Sequence, residues 1–416
     1  MNCEILTIGS EITLGLSVDT NSCVISRELG KIGIEITRIS SVPDDIELIA
    51  SAIDGALNRA DFLTITGGLG PTVDDLTREA IVKFTKKKLL FDPDLAGLIK
   101  KRYLSFKSSM PEVVLKQAHL PEDTIPIIPV QGTASGLIIE TGEKVIFALP
   151  GVPKEMEEML QRGVVPYLLK RVGHDEIINI RTLKICGLSE VEIQEKIKKV
   201  LEEKKTAIAL IPHFGQVDVQ IIAKGNLDHT QRILLETENE IRKQLKDYIF
   251  GVNEENLEKV IGDILRERKL TLSVAESCTG GLLSNRITNV PGSSDYFQGG
   301  IISYSNKIKE AVLGVPEEIL SNYGAVSSQT AEAMASGAAH VCNADVSLAI
   351  TGIAGPGGGS RDKPVGTVCI ALWSKEFTYC KKFQFCGSRE EIKWKASQKA
   401  LGIVWRFLLK KPIGRD

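Results

Sequence analysis

Ser277, Cys278 and Thr279 follow one another at the end of an apolar run, in the stretch Val274-Ala-Glu-Ser-Cys-Thr-Gly-Gly281. Each carries a nucleophile-type side chain, and the two glycines after them permit a sharp change of chain direction. Residues 270–275 read as a buried strand. Leu283, Ile287 and Val290 recur at helical spacing, so a helix is expected to begin at the glycines. Such a turn aims unpaired amides and the positive end of a helix dipole at a phosphate, or at an oxyanion formed in acyl transfer. The same side chains would equally serve as a plain helix cap, and the turn alone is compatible with both. A second group is acidic. Gly67, Gly68 and Gly70 offer a backbone that a phosphate can approach closely, and Asp74 and Asp75 follow at the expected start of a helix. Either aspartate alone would be a helix cap; joined by Glu11 and Asp44 at neighbouring strand ends, they become a set that calls for a divalent cation.

Two layered domains are needed to position these groups. Within residues 1–172, strands at 5–8, 34–41 and 62–66 alternate with helices at 20–29 and 46–57, which implies a parallel sheet with helices on both faces. Ligands of such sheets bind beyond the carboxyl ends of the strands, where the clusters 9–11, 42–45 and 67–75 fall. A proline-rich connection at 121–129, strands at 137–139 and 145–149, and a helix introduced by Pro153 complete the domain. A polar break at 171–176 marks its end. Residues 173–252 read as a small α+β unit whose element order resembles KH modules but lacks the Gly-x-x-Gly loop that clamps a nucleic-acid backbone. No nucleic-acid partner is expected from it, and His213 beside Pro212 reads as a loop residue. Residues 253–416 form a second α/β domain with strands at 270–275, 299–304, 346–350 and 366–372. The fold class is α/β: two three-layer α/β domains joined by a small α+β, KH-like domain.

Composition narrows the functions. A chain of 416 residues with 43% hydrophobic content suits two or three domains, each with its own core. Lys and Arg number 51 against 53 Asp and Glu, so no overall field draws the chain to nucleic acid or a membrane surface. The eight cysteines form no C-x-x-C pair and no ligand spacing with the five histidines, which argues for reduced thiols rather than zinc or disulfides. Residues 1–9 enter a strand without a basic stretch and long apolar segment, and no run of 18 apolar residues occurs, so a cytoplasmic location is expected.

In the last domain Tyr304, Ser305 and Asn306 precede Lys309 at the end of a strand that should neighbour the Ser277 turn. A lysine desolvated there has a lowered pKa and can act as general base toward a serine hydroxyl. The loop 351–359, beginning with Thr351 and Gly352, presents backbone amides with little side-chain bulk. Arg389 lies inside a Ser388-x-x-Glu391 capping box, where a cation opposes the helix dipole, and is therefore a candidate for holding an anion.

Together Ala275-Glu-Ser-Cys-Thr-Gly-Gly281, Gly292-Ser-Ser, Tyr304-Ser-Asn with Lys309, Gly324-Ala-Val-Ser327, Thr351-Gly-Ile-Ala-Gly-Pro356 and Lys363-Pro-Val-Gly-Thr367 resemble the nicotinamide-mononucleotide amidohydrolase domain of the CinA (competence/damage-inducible) family. Asp19-Thr-Asn-Ser22, residues 67–75 and Leu149-Pro-Gly-Val-Pro153 resemble that family's molybdopterin-binding-like domain. The resemblance implies hydrolysis of nicotinamide mononucleotide to nicotinate mononucleotide and ammonia, without a cofactor, in pyridine-nucleotide salvage. Ser277 would attack, Lys309 would move the proton, and Tyr304 would orient or relay. The turn amides of Gly280 and Gly281, with Thr279 or Thr351, would steady the oxyanion, and Arg389 would hold the 5′-phosphate. Cys278 ranks behind Ser277, having no histidine nearby in sequence to make it a thiolate. For the first domain the resemblance implies cleavage of ADP-ribose to AMP and ribose 5-phosphate, with a divalent ion (Mg, Mn or Co) on Glu11, Asp44, Asp74 and Asp75; a molybdopterin-like ligand is the alternative. Where many members have Gly-Asp-Glu this chain has Gly9-Ser10-Glu11, one carboxylate fewer. The family also implies a homodimer. The rival from another class is a non-catalytic nucleotide or pterin sensor acting in competence or the DNA-damage response.

Overall fold

The computed structural model describes residues 1–107, 109–172 and 177–413, so the boundary expected at 171–176 lies largely outside the described residues. The chain divides into two compact units, residues 1–179 with 223–232, and residues 180–222 with 233–416. Most of the α+β region is thus grouped with the second α/β domain.

In the first unit the strands run in the order Glu35–Val42, Asn2–Ile8, Phe62–Thr66, Lys144–Leu149, Gly136–Thr141, Thr124–Ile127. The first four are parallel, and the expected parallel sheet is extended by two antiparallel strands. The reason is local: Thr141 pairs with Lys144 across Gly142 and Glu143, and two residues suffice for a hairpin but not for a crossover. Ile49, Ile53, Ala80 and Ile99 cover one face of the sheet, and Ile25, Leu29, Met156 and Leu160 the other, which gives the three layers.

The α+β region, most of which falls in the second unit, carries a four-stranded sheet in the order Ala207–His213, Gln216–Gly225, Ile177–Ile185, Ile249–Val252, packed beneath Ile193, Ile197, Ile241 and Leu245. The second α/β sheet has the order Phe297–Ile302, Leu272–Glu276, Val346–Gly352, Thr367–Ser374, Phe377–Gln384. Its first three strands are parallel and its last two antiparallel. The outermost strand is hard to read from sequence, because Lys381 and Lys382 dilute its apolar pattern; charged residues of this kind blunt an edge. Helices Leu257–Arg268 and Arg389–Leu408 pack on one face, and Asn306–Leu313 and Ser328–Cys342 on the other. Glu276 stands in register with Ile302 on one side and Ile350 on the other, so three strand ends open onto one place. No helix among the described residues is long and apolar enough to cross a membrane.

Candidate active sites

The Ser277 turn begins one residue after the strand Leu272–Glu276, and its helix starts at Leu282, just past both glycines. Ser277 is held to the neighbouring strand end by its amide, which donates to the Ile350 carbonyl at 2.9 Å. The chain then turns through Gly280 and Gly281, both with positive φ. What the sequence did not reveal is the part played by Glu276. Its carboxylate is fully buried and accepts hydrogen bonds from the amides of Gly281, Leu283 and Ser284 at 3.0, 3.1 and 2.8 Å, and from the Ser284 hydroxyl at 2.7 Å. The helix dipole is therefore answered from within the protein.

This corrects the expectation that the Gly280 and Gly281 amides face a ligand. Gly281 donates to Glu276, and Gly280 donates to the Ser277 carbonyl at 3.2 Å. The amides of Cys278 and Thr279 donate to no other residue among those described, and the fully buried Thr279 hydroxyl has no partner either. Replacing Glu276 with alanine strands three helix amides, at about 1–3 kcal/mol for each unsatisfied group. Glu276→Ala should therefore unfold at a clearly lower temperature in calorimetry, with Glu276→Gln, which keeps one acceptor oxygen, in between.

Lys309 is brought to Ser277 by the neighbouring parallel strand. That strand ends at Ile302, two residues earlier than the sequence suggests, and the helix Asn306–Leu313, capped by the Ser305 hydroxyl, carries Lys309 inward. The Lys309 side chain is 1% exposed, and its Nζ lies 3.1 Å from Ser277 Oγ. Its other partners are the carbonyls of Ser303 at 2.7 Å and Tyr304 at 3.4 Å. Burial without a carboxylate partner pushes the ammonium pKa down. Burial acts oppositely on the Cys278 thiol, which is pushed up to about 12 and stays protonated at neutral pH. Ser277 is thus the side chain of the turn that meets the buried Lys309 amine.

Tyr304 departs from its expected role. Its phenol is exposed and accepts a hydrogen bond from Arg389 Nη2 at 3.3 Å, and only its backbone carbonyl touches Lys309. The hydroxyl is not set between Ser277 and Lys309 as a relay. Thr351 is corrected in the same way: its hydroxyl donates to the Ala325 carbonyl at 2.7 Å and ties the loop before the helix Ser328–Cys342 to the sheet. Gly352 ends its strand in register with Val368.

Arg389 begins the helix Arg389–Leu408 behind the expected capping box of Ser388 and Glu391. Its Nη1 donates to the Gly355 carbonyl at 2.6 Å, and it has no carboxylate partner among the described residues. One turn along, the Lys393 ammonium lies 4.0 Å from where a Cβ on Gly280 would stand. Lys393 was not among the residues expected from sequence, although an i,i+4 pair of cations on one helix face was a signal for it.

In the first unit all seven expected residues, Glu11, Asp44, Gly67, Gly68, Gly70, Asp74 and Asp75, line one cleft of about 440 Å³. Asp19 and Asn21 assemble it. Asp19 accepts from Thr7 Oγ at 2.7 Å and from the Ser22 amide at 3.0 Å, and Asn21 Nδ2 donates to Thr66 Oγ and the Gly151 carbonyl, both at 2.9 Å. Gly67 cannot be replaced in this arrangement: at φ 106° an added Cβ would stand 2.2 Å from the Ile8 carbonyl oxygen. Gly67→Ala should cost about 2 kcal/mol or more in chemical denaturation, from backbone strain and overpacking.

The amides of Gly67 and Gly70 are likewise engaged inside the protein, by Leu149 O at 3.0 Å and Asp75 Oδ1 at 2.7 Å. Asp75 also accepts from the Thr72 amide at 2.8 Å, so it closes the loop 70–75; the helix begins only at Thr77, and neither Asp74 nor Asp75 caps it. Asp44 is taken by the Ser10 amide at 2.8 Å and the Ser10 hydroxyl at 2.9 Å. A serine at position 10 gives Asp44 a donor where an aspartate would repel it. Among the described residues no three His, Cys, Asp or Glu side chains are grouped to hold a metal ion. The four carboxylates share one cleft, and Asp44 and Asp75 also accept hydrogen bonds from its loops. Two further residues escaped the sequence reading: Glu155, which also lines the cleft, and Arg78, whose buried guanidinium takes the carbonyls of Leu69 at 2.8 Å and Gly70 at 2.7 Å.

Fold and site together define a two-unit α/β protein that has a buried serine and lysine in contact at one sheet end and a glycine-lined acidic cleft at another. Residues 4–170 match the model of the probable molybdopterin binding domain, residues 180–251 that of the damage-inducible protein CinA KH domain, and residues 254–408 that of the CinA C-terminal domain. A CinA-like protein of Kosmotoga olearia is 42% identical over 98% of this chain and 99% of its own, and a putative competence-damage inducible protein of Moorella thermoacetica is 42% identical with the same coverage. A solved structure of the protein CinA from Thermoplasma acidophilum, titled as of unknown function, is 37% identical, covers 41% of this chain and 96% of that one, and has a TM-score of 0.37. The chain belongs to the CinA family.

Proposed function

We propose that the second α/β domain hydrolyses the carboxamide of nicotinamide mononucleotide to nicotinate mononucleotide and ammonia. The observation that carries it is the buried Lys309 Nζ at 3.1 Å from Ser277 Oγ, with two backbone carbonyls on its other side. A neutral amine that gives its two hydrogens to Ser303 O and Tyr304 O has its lone pair left for the serine proton. Ser277 Oγ attacks the amide carbon as Lys309 takes that proton. Lys309 returns it to the nitrogen, the C–N bond breaks, and ammonia leaves an acyl-serine ester. Water then adds to the ester carbon, giving one proton to Lys309, which passes it to Ser277 Oγ as the C–O bond breaks; the acid that leaves loses its other proton to solvent. The amides of Cys278 and Thr279 and the Thr279 hydroxyl suit the oxyanion of both steps. Arg389 and Lys393 suit the 5′-phosphate. The test is ammonia and nicotinate mononucleotide measured after incubation with nicotinamide mononucleotide. Saturable binding of the nucleotide without release of either product would favour the sensor.

We also infer that the first-unit cleft takes a phosphorylated ligand, ADP-ribose foremost, and cleaves its pyrophosphate. Support comes from the convergence of Glu11, Asp44, Asp74 and Asp75 with the Gly67–Gly70 loop on one cleft. Incubation with ADP-ribose and Mg, Mn or Co ions should yield AMP and ribose 5-phosphate. Equal yield in excess chelator would remove the ion from the scheme, and no AMP under any condition would leave the cleft to a pterin-like ligand.

A further inference from the structure

Within the second unit a cavity of about 560 Å³ lies where the α+β sheet meets the helix Arg389–Leu408, away from Ser277. Its walls are largely apolar, with Leu188, Val217, Phe383, Phe385 and Ile403 among them. The rings of Phe383 and Phe385 lie 5.8 Å apart and 16° from parallel. A cavity of this size with aromatic and aliphatic walls and polar groups set among them is the form that small-molecule sites take.

Arg406 is the buried one among the charged residues of the lining. It lines the cavity and is only 6% exposed, and its Nη2 is buried without a hydrogen-bond partner. Its Nη1 donates to the Pro412 carbonyl at 3.2 Å, and the guanidinium lies over the Tyr248 ring. An unpaired donor on a buried cation is costly, and an anionic acceptor is what would relieve it. The other charged groups lining the cavity are Glu190, which is exposed, Glu192, Lys395, and Lys399, whose ammonium lies 5.2 Å over the Phe383 ring. The Glu192 carboxylate is turned to the Ser189 amide and hydroxyl in a capping box, and the Lys395 ammonium donates to the Cys386 carbonyl at 2.6 Å.

We propose that this cavity is a second ligand site, taking a small molecule with a flat apolar body and one anionic group, the body against Phe383 and Phe385 and the anion on Arg406 Nη2. It is independent of the amidohydrolase reading, since no Ser277-site residue lines it. Calorimetric titration of the full chain with phenyl phosphate, benzoate and uncharged benzyl alcohol tests it. At least one of the two anions should bind with a stoichiometry of one and at least tenfold more tightly than benzyl alcohol. Arg406→Met should lose that preference, and Phe383→Ala, which leaves the guanidinium in place, should weaken the anion about tenfold. Both variants should keep a single cooperative thermal transition. If Arg406→Met unfolds, Phe383→Ala decides alone. No saturable binding by either anion, or anion affinity untouched in the folded variants, overturns the proposal.

Discussion

Ser277→Ala should leave the chain folded and lower kcat for ammonia release from nicotinamide mononucleotide by a factor on the order of 10⁴–10⁶, the scale seen when a hydrolase loses its nucleophile. The substitution removes one hydroxyl from a site whose shape is set elsewhere, by Glu276 on the helix amides and by the Ile350 carbonyl on the Ser277 amide. On this reading the hydroxyl adds little to substrate affinity, so the loss should fall on kcat and not on KM. Cys278 cannot take over, because its buried thiol is held up at about 12. Cys278→Ala should accordingly retain most of the rate. A Ser277→Ala protein with ordinary activity, or a Cys278→Ala protein with none, would reverse the nucleophile assignment.

The second large effect belongs to Lys309. Lys309→Met and Lys309→Arg should both lose at least about 10³ in kcat/KM, because general base catalysis and nucleophile activation fail together. Arginine keeps the charge but does not deprotonate, so failure of Lys309→Arg separates a base from a mere cation. In the wild type, kcat/KM should rise with pH through the Lys309 pKa, which burial sets below the ordinary value for lysine. Stability supplies an independent check on the same residue. A lysine whose folded pKa is lowered binds fewer protons in the native state than in the unfolded state, between its folded and its unfolded pKa. Wild-type stability therefore gains from this residue as pH rises through that window and is penalised in full below it. Lys309→Met should be at least as stable as the wild type at pH 7, with its relative advantage shrinking as pH climbs toward the ordinary lysine value. A methionine variant that is strongly destabilised at pH 7 would show that the lysine is held there for structure.

Much of both sites was legible because it is local. A strand that stops at Ser277 before two glycines, the capping box around Arg389, and the alternation of strands and helices in residues 1–172 each depend on neighbours a few positions apart. The glycine clusters at 67–70 and the acidic residues at strand ends were placed on one cleft by the parallel sheet rule alone.

Which hydrogen-bond partners the turns and the fold bring together was not legible. Nothing in the order of residues says that Glu276, the last residue of a strand, takes the amides of the next helix; only the tightness of the turn does that. The same holds for Asp75 closing its own loop, Ser10 and Asp44 pairing across 34 positions, and Thr351 turning to Ala325. Amides that looked free for a ligand are free only where no nearby carboxylate or carbonyl claims them. The sequence by itself determined which residue types stand at the strand ends and that a serine, a lysine and an arginine are available there. The tertiary structure decided that Lys309 meets Ser277, that Tyr304 faces Arg389, and which donors remain. The physical reason is that a buried polar group must be satisfied by whatever the fold brings within about 3 Å, and chain order does not encode that distance.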